Sequence, residues 1–480
     1  MGEMLDILNK KDIKGILNIL GGIIAVIGLF TLIPCIIAFY YNENTIFNFL
    51  VPGIFFTIFG CILKKITKPR NLKLHHSMIA SALAWLIASL IGAIPLYLSI
   101  PYFSYVDAVY ESMSAWTTTG MTLITNVEVL PKSILFWRSF QQWIGGVGIL
   151  VLSALVLARS GTVAYLLYSS EARQERIMPS AISTIKTIVW IYTLYTILGI
   201  LLLYLSGLSF WESINLTMTG ISTGGMSISN YSFPYNDLAK IVMICIMMVG
   251  GVISFSIHHR ILTGKYFNDI QTKYAIIVIT IVSIIISIKD HISIIDSLFT
   301  VVSAMTSTGF TTINIANLSN LSLFLIIFLM FIGGGAGTTT GGVKIIRFLV
   351  ILKALYYEIK EVIYPKSAVI YEHLDNIELD YKIIREAFVI FFLYGITSFF
   401  IASTFIFLGC GPYKSIFDAV SFVSNIGMSL GVVTLKTPTI GKIAGIIGMW
   451  VGRLEFIPVL VLLASLSLKI QKLSKKCNKK

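Results

Sequence analysis

Four stretches of this chain end in the same small-polar and glycine pattern, and each lies between two long apolar runs. They are Thr117-Thr118-Thr119-Gly120, Ile221-Ser222-Thr223-Gly224, Thr306-Ser307-Thr308-Gly309 and Ser424-Asn425-Ile426-Gly427. Each follows a short segment that opens with an acid: Asp107, Glu212, Asp296 and Asp418. One Ser/Thr-Gly pair would read as a helix-packing motif, since small residues are common between membrane helices. Four copies at the same place between paired spans imply four related hairpins in a pseudo-fourfold ring. A ring of backbone carbonyls from four loops is what dehydrating and passing a potassium ion requires. The pattern therefore points to a cation pore.

The solvent for most of the chain is lipid. Of its 480 residues, 56% are hydrophobic and only 12% are charged, and the mean hydropathy is +0.86. In lipid the backbone must satisfy its own hydrogen bonds, and apolar runs of about 20 residues select helices over barrel strands. Ten spans are expected: 15–41 and 45–63, then four pairs, 77–98 with 136–158, 187–206 with 238–258, 274–288 with 322–352, and 385–408 with 441–466. The segment between the members of each pair is too short to cross and reads as a re-entrant pore helix. Its opening acid offsets the positive end of the helix dipole, and its negative end points at the cation. The fold class is an all-α polytopic membrane protein, with two N-terminal transmembrane helices and four helix–pore-helix–filter–helix repeats. The boundaries expected are 1–73, 74–170, 171–268, 269–375 and 376–480.

The formal net charge of +13 sits in short loops between spans, which is a membrane-topology pattern and excludes nucleic-acid binding as its explanation. Sorting the 36 Lys and Arg by loop puts 28 on one side, including Lys344, Arg347 and six tail lysines. Seven fall on the other: Lys132, Arg138, Lys240, Lys289, Lys414, Lys436 and Lys442. This predicts a multi-pass protein of the cell membrane with both termini cytoplasmic and the re-entrant loops outside. The basic tail is placed to meet anionic lipid headgroups. The five cysteines form no CxxC pair and read as small apolar residues. The first apolar run is too long for a signal-peptide core and is expected to stay as an anchor.

Two further motifs carry chemistry. Residues 333–342, Gly-Gly-Gly-Ala-Gly-Thr-Thr-Thr-Gly-Gly, interrupt the second span of the third repeat. Each glycine costs a helix about 1 kcal/mol relative to alanine, so the helix breaks. A broken membrane helix is tolerated where its backbone lines a cavity. Gly334, Gly335, Gly337, Thr338 and Thr339 are thus candidates for a flexible plug beneath the filter. A phosphate loop is excluded, because no Gly-Lys-Ser/Thr closes the run and no strand precedes it. Arg453 is expected near the middle of the last span. A buried arginine there faces a cavity or a partner, and the readings are a gate charge bonding the plug's carbonyls or an ion pair with Glu455. His75-His76 and His258-His259 read as interfacial, and Trp116, Trp137, Trp143 and Trp211 as a boundary belt. No nucleophile, base and acid stand at credible spacing, so no enzyme is expected.

On these residues the chain resembles the Trk/Ktr/HKT potassium-transport superfamily, and within it the TrkH/TrkG-type membrane subunits. The matching text is Gln142-Trp143-Ile144-Gly145-Gly146-Val147-Gly148, Ile221-Ser222-Thr223-Gly224-Gly225, Gly333 to Lys344, and Gly452-Arg453-Leu454-Glu455. The resemblance spans about residues 77 to 466, and the two extra N-terminal spans are similar to the Trk branch. It implies a homodimer with one pore per subunit. It also implies a cytoplasmic partner with nucleotide-binding RCK/KTN domains (TrkA-like), since no such domain lies on this chain. Potassium is then the transported ion, with no organic cofactor. The implied ion ligands are Thr118, Thr119, Ser222, Thr223, Ser307, Thr308, Asn425 and Ile426, with the filter glycines Gly120, Gly224, Gly309 and Gly427. The fourth loop departs most, with Asn425-Ile426 in place of hydroxyl residues. Sodium-permeable or proton-coupled transport on the same fold is the alternative.

Overall fold

The computed structural model describes residues 10–69, 72–148, 178, 180–265, 269–365, 373–375 and 377–477. Expectations for 149–158, for most of the loop 159–186 and for Lys479 and Lys480 lie outside the described residues. Two N-terminal helices pack closely together: α1 (Lys10–Thr31), continued after a kink at Pro34 by α2 (Pro34–Tyr40), and α3 (Ile46–Ile66). A Cβ on Gly28 or Gly60 would collide with backbone of the facing helix, so these small residues allow the close crossing.

Four hairpins follow. Repeat 1 is α4 (Leu74–Ser99), pore helix α5 (Tyr105–Trp116) and α6 (Lys132–Val147). Repeat 2 is α7 (Ala181–Leu205), pore helix α8 (Phe210–Ile221), α9 (Asp237–Gly251) and α10 (Phe255–Leu262). Repeat 3 is α11 (Ile270–Asp290), pore helix α12 (Ile294–Met305), α13 (Asn320–Ile332) and α14 (Ile345–Ile363). A two-residue hairpin, His373–Leu374 with Ile377–Glu378, leads to repeat 4. Repeat 4 is α15 (Tyr381–Phe407), pore helix α16 (Pro412–Val423), α17 (Thr439–Arg453) and α18 (Ile457–Cys477).

Among the described residues six helices are long and apolar enough to cross a membrane, and two bent pairs raise that to eight. Apolar side chains such as Phe399, Phe400 and Phe407 on α15 stand exposed on its outer face, the surface lipid would cover.

The second spans differ from the continuous helices expected. α9 and α10 meet at 107°, and α17 and α18 at 112°. The latter bend is made by Glu455 and Phe456, with φ of 49° and 70°. Consecutive left-handed residues with side chains cost roughly 1–2 kcal/mol each, so tertiary contacts must hold them. The Glu455 carboxylate supplies one, accepting from Arg347 Nη2 at 2.5 Å. Arg453 therefore ends a helix rather than sitting in mid-span, and Glu455 pairs with Arg347 rather than with Arg453.

Several residues read as loop or interface groups are interior. Arg138 pairs with Glu111 at 2.8 Å with both nearly inaccessible, and Lys442 pairs with Asp107 at 2.5 Å. Lys344 is buried in the glycine-rich loop. Trp116 and Trp137 are fully buried, edge to face at 6.1 Å, and do not form a belt. His76 and His258 are buried too; His258 Nε2 lies 2.9 Å from the Val249 carbonyl oxygen, across the α9–α10 bend.

Candidate ion-conduction site

Each pore helix starts and stops by local rules. Ser104 and Ser209 cap α5 and α8 in reciprocal boxes with Asp107 and Glu212, and Ser293 caps α12 one turn from Asp296. The fourth helix starts instead at Gly411-Pro412. Its acid, Asp418, is therefore not a terminal residue. It lies mid-helix, fully buried, accepting from Ser429 Oγ, Leu430 N and Val432 N at 2.6, 2.7 and 3.0 Å. Its counterpart is Glu111, which accepts from Thr122 Oγ1 and Leu123 N at 2.8 and 3.1 Å. Both carboxylates tie the chain beyond a filter loop back to its pore helix.

The helices end on Thr117, Ser222, Thr306 and Ser424, each followed by a left-handed residue: Thr118, Thr223, Ser307 and Asn425, with φ of 53–56°. The next amide turns back onto the helix, from Thr119 to Ser114 O, Gly224 to Thr219 O, Thr308 to Ser303 O and Ile426 to Ser421 O, at 2.8–3.0 Å. This fixes four equivalent positions per loop. The fourth, always a glycine with positive φ, is Gly120, Gly225, Gly309 and Gly427. The second loop is thus displaced by one residue from the sequence reading. Gly225 is the counterpart of the other three glycines, Gly224 stands at the third position, and Ser222 at the first.

The same glycines close the ring. A Cβ on Gly120 would collide with the Gly224 carbonyl oxygen, on Gly225 with that of Thr308, on Gly309 with that of Ile426, and on Gly427 with that of Thr119. Each repeat thus packs its fourth position on the third-position carbonyl of the next, and the last repeat returns to the first. No side chain fits at these contacts, which is the requirement glycine meets here. The loops are braced by different means. Thr117 and Thr119, and Thr306 and Thr308, pair their hydroxyls at 2.8 Å. Asn425 Nδ2 donates to Thr119 Oγ1 and to Met449 O, both at 2.9 Å.

The glycine-rich loop leaves α13 at Gly333 and rejoins at Lys344, where Lys344 N donates to Ile332 O at 2.8 Å to close a neck. Gly333 and Gly342 take φ of 74° and 79° at this pinch. Between them the chain lies against repeat 2. Gly335 N donates to Gly251 O at 3.0 Å and Thr339 N to Gly250 O at 3.2 Å, while Ala336 N donates within repeat 3 to Gln271 Oε1 at 2.8 Å. Thr339 is the hub. Its hydroxyl lies 3.1 Å from Thr223 Oγ1 and donates to Gly250 O and Ile221 O at 3.0 and 3.2 Å. Gly341 backs onto Ser424, where a Cβ would meet the Ser424 carbonyl. The loop therefore contacts the filter loops of repeats 2 and 4. Gly334 seats against Gly251, and Gly337 O accepts from Phe255 N at 3.1 Å. Thr338 folds within the loop onto Gly335 O at 2.7 Å.

Arg453 reaches this loop from the opposite side. Its Nη1 donates to Thr339 O at 2.9 Å, its Nη2 to Gly145 O and, at 3.5 Å, to Gly146 O, and its guanidinium lies 5.4 Å from the Trp85 ring centre. Counted from the N-caps Pro131, Asn236, Ser319 and Pro438, Arg453 matches Gly146, Gly251 and Gly334. Three repeats place a glycine where the fourth places a cation. Lys344 Nζ adds a second, donating to Thr340 O. Among the described residues no group of three or more His, Cys, Asp and Glu could hold a metal ion.

Comparison with known proteins gives the same architecture. The TrkH family, described as cation transport proteins, matches over residues 45–275 and 267–473. An uncharacterised cation transporter of Methanocaldococcus jannaschii is 82% identical over 98% of this chain and 99% of its own. The Trk system potassium uptake protein TrkH of Escherichia coli (strain K12) is 30% identical over 82% of this chain and 86% of its own. The crystal structure of the potassium transporter TrkH from Vibrio parahaemolyticus superposes with a TM-score of 0.84 at 25% identity, covering 94% and 98% of the two chains. These neighbours are transporters, not enzymes.

Proposed function

The chain belongs to the TrkH family of cation transport proteins, and from that premise we propose that it carries potassium into the cell, through a channel-like pore at the ring of four loops. The ring of glycines and third-position carbonyls is the observation that carries this reading. Carbonyls of Thr118, Thr119, Thr223, Gly224, Ser307, Thr308, Asn425 and Ile426 replace the ion's hydration shell, and backbone oxygens serve where the fourth loop lacks hydroxyls. Every loop keeps its glycine, so the column stays narrow, which supports potassium over sodium. Ser222, at the first position, lies one step earlier in the loop than its assignment as a ligand requires.

The 333–342 segment is the gate. It seals the space beside the filter loops, and Arg453 holds it through Thr339 while opposing a cation electrostatically. The protein works as a homodimer with one pore per subunit, in the cell membrane with both termini cytoplasmic. A cytoplasmic RCK/KTN, TrkA-like ring senses nucleotide and draws the loop aside. Transport needs no organic cofactor on this chain.

Purified protein in liposomes tests this reading. Rubidium and potassium should enter down their gradients faster than sodium, and addition of the partner should change the rate. Equal sodium and rubidium flux would overturn the potassium reading in favour of a sodium-permeable pore. Uptake that follows an imposed proton gradient would favour coupled transport.

A further inference from the structure

At the seam between repeats 1 and 2 a glutamine stands where the other seams hold methionine. Counted from the N-caps of the second spans, Gln142 on α6 matches Met247 on α9, Met330 on α13 and Met449 on α17. All four are fully buried. Each second span packs against the pore helix of the next repeat, and at the first seam Gln142 faces the third position of the next loop, Gly224. The methionines are followed around the ring by Thr308, Ile426 and Thr119, which have side chains. Gln142 is followed by Gly224, which has none.

The amide fills that gap. A Cβ on Gly224 would collide with the amide carbon, oxygen and nitrogen of Gln142. Gln142 Nε2 donates to Gly224 O at 2.6 Å, and Oε1 accepts from Met226 N at 3.0 Å. The side chain thus clips both ends of the turn that carries Gly225. Burying an amide is costly unless it is bonded, and both of its polar atoms are. Repeats 1 and 3 stiffen the same turn from within, by the Thr117–Thr119 and Thr306–Thr308 hydroxyl pairs. Repeat 2 has no third-position hydroxyl to do so, and Ser222 Oγ turns instead to Thr219 O at 3.2 Å.

We propose that Gln142 is a specificity-determining positioning residue, an external brace that sets the Gly224 carbonyl and so the width of the ring at repeat 2. It touches no ion. It replaces, from the neighbouring repeat, the hydroxyl pair that the second loop lacks. The inference rests on the reading of the four loops as the selectivity ring.

The test is a substitution pair. Gln142→Met reproduces the residue of the other three seams but leaves Gly224 unbraced. Gln142→Met with Gly224→Thr rebuilds the whole seam in the image of Met449 and Thr119. The readout is the rubidium-to-sodium permeability ratio in liposomes, which loss of folded protein does not change. The single variant should lower the ratio about fivefold or more, the scale set by losing a hydrogen bond that positions a ligand. The double variant should recover it to within about twofold of the parent. Gln142→Leu carries the same test with a different apolar shape. A parental ratio in either monodisperse single variant overturns the proposal, as does a double variant no more selective than the single ones. A parent that does not itself prefer rubidium would instead overturn the proposed function, so the two failures are distinct.

Discussion

The guanidinium of Arg453 donates to the carbonyl oxygen of Thr339 at 2.9 Å, joining the end of the last repeat's α17 to the glycine-rich loop of the third. The same side chain also holds Gly145 O of the first repeat. Hydrogen bonds from a charged donor contribute about 1.5–3 kcal/mol each, so this one residue biases the loop strongly toward its seated state. Arg453→Ala should raise basal rubidium uptake roughly tenfold and leave the rubidium-to-sodium ratio set by the loops above. Uptake and monodispersity measured on one preparation decide the matter. Well-folded protein with parental uptake would remove Arg453 from the gate.

Thr339 should share that phenotype by a different route. Thr339→Val keeps the shape but deletes the hydroxyl that contacts Thr223, Gly250 and Ile221. Basal flux should rise about fivefold for the loss of these neutral bonds. Deleting Gly334 to Thr340 should raise it further and abolish its dependence on the partner. Partner-dependent flux equal to the parent's in that deletion would mean the segment is not a gate.

The register of the second loop makes a sharp contrast available. Gly225→Ser and Gly120→Ser should both lower the rubidium-to-sodium ratio, because both side chains would enter the carbonyl of the next repeat. Gly395→Ala supplies the control. Its Cβ would meet nothing within 4 Å in the middle of α15, and alanine should stabilise that helix by up to about 1 kcal/mol. If Gly225→Ser kept the parental ratio, Gly225 would not be the ring glycine.

Asp418 should behave as an anchor. Asp418→Ala strands Ser429 Oγ and the amides of Leu430 and Val432 in a buried site, costing about 2–4 kcal/mol. Asp418→Asn, which keeps one accepting oxygen, should cost less. The thermal unfolding midpoint of the detergent-solubilised protein should therefore rank parent above Asn above Ala. A midpoint for Asp418→Ala equal to the parent's would show that the loop needs no such tie.

Much of this was legible because the motifs are made of residues with few other uses. Four short segments ending in glycine between apolar runs predict the hairpins, and a decapeptide with six glycines predicts a broken helix. The loop register of repeat 2 was not legible, because Gly224 and Gly225 stand side by side and only backbone dihedrals distinguish them. Asp418 misled for a related reason. An acid before a small-polar run reads as a helix start, whereas Gly411-Pro412 is the true start and the acid is half a helix further on. The bend residues Glu455 and Phe456 are neither glycine nor proline, and only Pro458 in the first turn of α18 marks the restart; the Arg347 partner that holds the bend lies 108 residues away. Charge counting likewise could not separate Arg138 and Lys442, which are interior, from lysines that border lipid. The QWIGG text was visible as a motif, but the role of its glutamine depends on the absence of a side chain at Gly224 in another repeat.

The substitution of Arg453 for the glycine that three repeats share has a consequence for how such a pore can move. A barrel of four equal staves opens like an iris, every stave tilting by the same amount. Here the glycine-rich loop hangs from one stave, rests on its neighbour and is pinned by a third, so, if it is the gate proposed above, no concerted dilation is needed to free it. On the proposed reading, opening would reduce to swinging a single latch on the pinch at Gly333 and Gly342, with the rest of the wall standing still. A pore of this kind can keep its sieve rigid while its door moves, and mutations that loosen one need not loosen the other.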